Sequence, residues 1–148
     1  MPHHELAQLN IAHLAAPLES PQLQDFVDNL DRINALAEGS PGFVWRFQDD
    51  AGNATSARPF GEEYLVNLTV WTDIESLHRY VYRSAHAEIM ARRKEWFQPM
   101  REAWTVLWWV PAGHRPGFTE AYEKLQQLRA NGPTADAFTF KQPQPRSG

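Results

Sequence analysis

The sequence predicts one α+β domain in which a single sheet carries helices on one face. Three observations support this. Stretches of alternating apolar and polar residues are interspersed with stretches whose apolar residues recur every three or four positions, so strands and helices follow one another along the chain. Their order reads strand, helix, strand, strand, helix, strand, helix. At 148 residues, 43% of them hydrophobic, the chain is long enough for one well-formed core.

Glu5 to Leu14 puts Leu6, Gln8, Asn10 and Ala12 on one side and Ala7, Leu9, Ile11 and His13 on the other, and makes the first strand. Ser20-Pro21 starts a helix, with Ser20 as its cap, and Leu23, Phe26, Val27, Leu30, Ile33 and Ala37 form an apolar stripe that ends at Gly39. Past the Ser40-Pro41-Gly42 turn, Phe43 to Phe47 reads as the second strand and Tyr64 to Trp71 as the third. The polar loop Asp49 to Gly61 between them is long for a hairpin and is expected at the mouth of a cleft. Thr72 or Asp73 caps the next helix, whose stripe is Ile74, Leu77, Tyr80 and Val81. Ala85, Ile89 and Trp96 belong to a different register, which predicts a break near Ser84 and a second helical segment reaching Phe97. Trp104 to Val110 is the fourth strand, and Thr119 to Ala130 a last amphipathic helix stopped by Asn131-Gly132-Pro133. Residues 1–140 are expected to form the single domain and 141–148 a flexible tail, anchored at most by Phe138 and Phe140.

The first six elements give the βαββαβ order of a ferredoxin-like fold, with both helices on one face and an extra C-terminal helix. On the third strand Tyr64, Val66, Leu68 and Val70 are wholly apolar and are expected under the helices, together with Leu9 and Ile11. Gln8, Asn10, Leu65, Asn67, Thr69 and Trp71 then fall on the opposite, bare face, with some of Trp45, Trp108 and Trp109. An uncovered face of that size calls for a partner, a ligand or both, and a homodimer with its sheets packed face to face is the expected answer.

Composition narrows the function. A net charge of −4 offers no footprint for a polyphosphate backbone, so no nucleic-acid partner is expected. The chain has no cysteine, which removes thiol nucleophiles, disulfides, zinc–thiolate sites and iron–sulfur clusters. No long apolar run and no basic leader stand at the N-terminus, so the expectation is a cytoplasmic protein without a membrane partner.

Val70-Trp71-Thr72-Asp73, the aromatic-rich helix after it and Ser84-Ala85-His86 resemble the dimeric α+β barrel superfamily, as seen in antibiotic-biosynthesis monooxygenases. Ala7-Gln-Leu-Asn10, Asp31-Arg-Ile-Asn34, Ser40-Pro-Gly-Phe-Val-Trp45, Tyr82-Arg-Ser-Ala-His86, Arg92-Arg93-Lys94-Glu95-Trp96-Phe97 and Leu107-Trp-Trp-Val-Pro-Ala-Gly-His114 are similar, within it, to one bacterial family of unknown function. The superfamily implies a cofactor-independent monooxygenase that holds the anion of a hydrophobic or aromatic small molecule while it reacts with oxygen. Its haem-degrading members imply an alternative, in which His86 binds haem iron, Asn10 assists and Tyr80 stands where those enzymes carry a tryptophan. A non-enzymatic, dimeric ligand-binding protein is the third reading.

The candidate catalytic residues are His86, Asn10 and Asn67, and the candidate substrate-binding residues are Gln8, Trp45, Thr69, Trp71, Tyr80, Arg93, Trp108 and His114. Gln8, Asn10, Asn67 and Thr69 either clamp a ligand oxygen or satisfy one another in an interface. Asn34, in the middle of the first helix's apolar stripe, either bonds an internal carbonyl or touches a ligand. The basic run Arg92-Arg93-Lys94 either faces solvent or favours an anionic ligand, and no cofactor or metal is expected apart from haem in the alternative.

Overall fold

A computed structural model of the chain describes residues 4–48, 59–83, 86–100 and 102–145, leaving aside the side chain of His86. Strand β1 (His4–Leu14) is followed by a 3₁₀ turn (Pro21–Leu23), helix α1 (Gln24–Glu38), β2 (Phe43–Arg46) and β3 (Tyr64–Trp71). Helices α2 (Ile74–Arg83), α3 (His86–Ala91) and α4 (Arg93–Trp96), strands β4 (Phe97–Gln98) and β5 (Thr105–Pro111), and helix α5 (Phe118–Asn131) complete the order. The predicted break near Ser84 falls at 84–85, and most of the predicted loop at 49–58; both lie outside the described residues.

Strand β1 is the centre of the sheet. It pairs antiparallel with β3 from Leu6↔Trp71 to His13↔Tyr64, and on its other side with β5 from His4↔Pro111 to Asn10↔Thr105. Beyond Asn10 the short β4 takes over, pairing His13 with Gln98 and Leu14 with Phe97. Strand β2 lies outside β3, and Phe138 bridges Leu107 on the far side of β5. This mixed α+β, ferredoxin-like arrangement agrees with the fold the sequence predicts.

Local chemistry accounts for the helix starts. The Asp73 carboxylate accepts the Ser76 N–H at 2.7 Å and caps α2. Ser20 is extended ahead of the 3₁₀ turn and Pro21 occupies its first position, but the Ser20 hydroxyl makes no capping bond; the predicted cap is replaced by proline's preset φ.

The facing of the sheet is the reverse of the expectation. Leu9, Ile11, Val66, Leu68, Val70, Val106, Trp108 and Val110 are all at most 6% exposed and pack under α5, against Ala121, Leu125 and Leu128. The most apolar face does seek a helix, as the hydrophobic effect requires, but that helix is the C-terminal one. Helices α1 and α2 instead cover the mixed face of Gln8, Thr69 and Trp71. Both faces of the sheet are thus covered within the chain, one by α5 and the other by α1 and α2. The Trp109 indole N–H donates to the Gln144 carbonyl at 2.9 Å. Among the described residues no helix is long and apolar enough to cross a membrane.

Candidate functional site

Between the mixed sheet face and helices α1 and α2 lies a cavity of about 490 Å³. Its floor is made by Gln8 and Asn10 of β1, Asn67, Thr69 and Trp71 of β3, and Arg46 of β2. Phe26, Leu30, Ile33 and Asn34 of α1 and Leu77, Tyr80 and Val81 of α2 form the roof. Arg93 and Trp104 close one side, and Thr139, Phe140 and Lys141 border another. The size is that of a small-molecule pocket. Phe26, Leu30 and Ile33 are only half-buried, because the stripe of α1 stands over this space rather than on the sheet.

The polar floor is ordered by a relay. The Trp71 indole N–H donates to Thr69 Oγ1 at 3.0 Å, and the Thr69 hydroxyl donates to Gln8 Oε1 at 2.9 Å. An indole can only donate, so the single Thr69 proton is left for Gln8, and this fixes which end of the Gln8 amide meets it. The Gln8 NH₂ is therefore the end that remains, and it has no acceptor among the described residues. Nor do the side chains of Asn10, Asn34 and Asn67 bond another described residue. A track of amides is thus available to a ligand.

A β-bulge decides which residue of β2 joins them. Phe43 pairs with Trp71, but the register shifts before Trp45 pairs with Val70 and Arg46 with Thr69. In regular pairing Trp45 would sit opposite Thr69 and face the cavity; the extra residue turns Trp45 to the α5 side and brings Arg46 in. Arg46 Nε is buried and lies 3.4 Å from Glu38 Oε2 without hydrogen-bond geometry, so that N–H is unsatisfied. Tyr80 donates its hydroxyl to the Ile33 carbonyl at 3.2 Å, and burial pushes its phenol above the usual range, with Arg46 nearby opposing the shift. The Arg93 guanidinium lies 4.2 Å from the centre of the Trp104 ring, and burial lowers its pKa.

The cavity therefore brings together seven predicted site residues: Gln8, Asn10, Asn67, Thr69, Trp71, Tyr80 and Arg93. It does not include three others. Trp45 packs with the core on the α5 side, and Trp108 is buried there with its indole N–H donating to Glu120 at 2.8 Å. His114 is exposed and meets the other oxygen of Glu120 at 2.6 Å, bracing the loop after β5 against α5. The side chain of His86 lies outside the described residues, and with it the haem alternative. No group of three or more His, Asp or Glu that could hold a metal occurs among the described residues. Sequence reasoning misses Arg46 and Trp104, the first because a bulge is invisible to alternation and the second because the β-branched and aromatic run continues through Trp104 while the strand itself begins at Thr105.

The fold and cavity define a ferredoxin-like α+β domain with a ligand-sized space between sheet and helices. Residues 5–148 match the family described as Domain of unknown function (DUF3291), and the chain belongs to that family. No curated protein matches it. Among solved structures, it is similar to a protein of unknown function from Nitrosomonas europaea, at 17% identity over 77% of this chain and 96% of that one, with a TM-score of 0.49. It is similar to a protein from Pseudomonas aeruginosa at 12% identity, over 74% of this chain and 95% of that one, TM-score 0.48. It is also similar to SnoaB, a cofactor-independent oxygenase from Streptomyces nogalater, at 17% identity over 76% and 95%, TM-score 0.46.

Proposed function

We propose that the chain binds a hydrophobic, aromatic small molecule in the cavity above β1 and β3 and promotes its oxygenation without a cofactor. The observation that carries this reading is a set of donors without acceptors. The Gln8 NH₂ and the Arg46 Nε–H, which the Glu38 carboxylate approaches at 3.4 Å without hydrogen-bond geometry, stand beside a space whose other walls are largely apolar and aromatic and which no carboxylate lines among the described residues. Buried donors of this kind are complementary to an ionised oxygen, and they lower the pKa of the substrate that bears it. The substrate is then a molecule with an acidic C–H beside an aromatic ring, held as its enolate. The net reaction converts a CH₂ group and O₂ into a carbonyl and water: the carbon loses two hydrogens and gains one oxygen atom, and the second oxygen atom leaves as water.

Anthrone, a flat aromatic ketone with an acidic CH₂, is a suitable probe. Incubation under ¹⁸O₂ is expected to consume one O₂ per quinone formed and to place one labelled atom in the product, faster with the protein than in buffer. Gln8→Leu is expected to slow this step more than it weakens binding. Anthrone that binds but reacts at the buffer rate would leave a binding protein and overturn the oxygenase reading. No binding at all would overturn the cavity as a site.

A further inference from the structure

The side of the cavity at α4 carries a second recognition element. Arg93 lies with its guanidinium over the Trp104 ring, 4.2 Å from the ring centre. A guanidinium held over a ring face in this way is attracted through its charge, and its N–H groups remain available to an acceptor. No side-chain acceptor or carboxylate meets them among the described residues. The neighbouring cation is the opposite case: Arg92 is bonded to Asp25 at 2.8 Å and to both oxygens of Glu95 at 2.8 and 2.9 Å. Two adjacent arginines thus differ in kind, one consumed by structure and one held ready at the edge of a ligand-sized space. A planar fork with free, in-plane donors matches a carboxylate, which accepts two parallel bonds from it.

Resting on the reading of the cavity as an aromatic ligand site, we infer that Arg93, stacked on Trp104, is the receptor for a carboxylate on that ligand, so that the natural ligand is an aromatic carboxylic acid. The aromatic body lies over the Gln8–Asn10–Asn67 floor and the acid reaches α4. Arg93 is a positioning residue for the body of the ligand, not a member of the donor set at Gln8 and Arg46.

The test compares naphthalene-2-carboxylate with its neutral isostere naphthalene-2-carboxamide, by calorimetric titration at pH 7 on the full chain. The carboxylate is expected to bind the wild-type protein about tenfold to a hundredfold more tightly, since each factor of ten is about 1.4 kcal/mol and charge-assisted bonds reach that range. Arg93→Gln should abolish this preference and leave carboxamide affinity within about twofold, whereas Arg92→Gln, which makes the same change of net charge, should keep it. Equal binding of the two probes to wild type overturns the carboxylate receptor while sparing the cavity reading. Loss of the preference in both arginine variants also overturns it, because the effect would then be one of general charge. If neither probe binds, the cavity reading itself fails and the receptor with it. The wild-type comparison needs no variant, so a poorly folding Arg93→Gln does not remove the test.

Discussion

Replacing Thr69 by Val probes the relay that organises the cavity floor. Thr69 and Gln8 are each 5% exposed and Trp71 is fully buried, so none of the three can turn to bulk water. Valine nearly matches threonine in shape, and the substitution removes the acceptor of the Trp71 N–H and the donor to Gln8 Oε1 together. A buried polar group left unpaired costs about 1–3 kcal/mol. The Gln8 amide can rotate towards the cavity and recover part of its share, but the indole N–H cannot move. The expected destabilisation is therefore about 2–4 kcal/mol, read as a lower midpoint of urea unfolding at unchanged slope. Thr69→Ser keeps both bonds and loses one methyl, for about 1 kcal/mol. Freed from its partner, Gln8 no longer presents a fixed NH₂, and anthrone binding should weaken in the Val variant but not in the Ser variant. If Val is as stable as Ser and binds anthrone equally well, the relay neither holds the floor nor orients Gln8.

Tyr80→Phe should cost about 1 kcal/mol at neutral pH through the lost bond to the Ile33 carbonyl. Because burial raises the Tyr80 pKa in the fold above its ordinary 10.0, wild-type stability is full below about pH 10 and falls as pH rises beyond it; the Phe variant should lose less on alkaline unfolding. Leu125→Ala, at a position 1% exposed beneath the sheet, should cost about 2–5 kcal/mol in chemical unfolding, and a cost near zero would mean that α5 does not seal that face. Gly42→Ala should cost about 2–5 kcal/mol by the same measurement. Gly42 has φ +84°, and an added Cβ would stand 2.1 Å from Ser76 Oγ, so left-handed strain and a clash combine.

What was legible in the sequence follows from what periodicity can encode. The alternation of Glu5 to Leu14 and the stripe from Leu23 to Ala37 fall within β1 and the 3₁₀–α1 unit, because each signal repeats over three or more turns or pleats. The two-residue strand β4 is too short to carry any pattern, yet it extends the pairing of β1 beyond Asn10. The bulge at β2 is a single inserted residue, and it exchanged Trp45 for Arg46 in the site without altering the composition of the strand.

The reversed facing has a more general cause. Alternation tells which residues share a side of a sheet but not which element comes to cover it, and here two coverings compete: α1 with α2, and α5. Had α1 and α2 taken the wholly apolar face, Gln8 and Thr69 would lie under α5, whose inward residues Ala121, Leu125 and Leu128 offer them no polar partner. In the observed facing Thr69 pairs with the Gln8 carbonyl, and the Gln8 NH₂ borders the cavity instead of an apolar helix. The wholly apolar face goes to α5, and the mixed face goes to the pair of helices that span it at a distance. The same choice leaves, on the other side, a polar floor beneath a half-buried apolar roof. Such a pairing is satisfied neither by close packing nor by water alone, and the proposed ligand, aromatic in its body and anionic at its edges, would meet both halves.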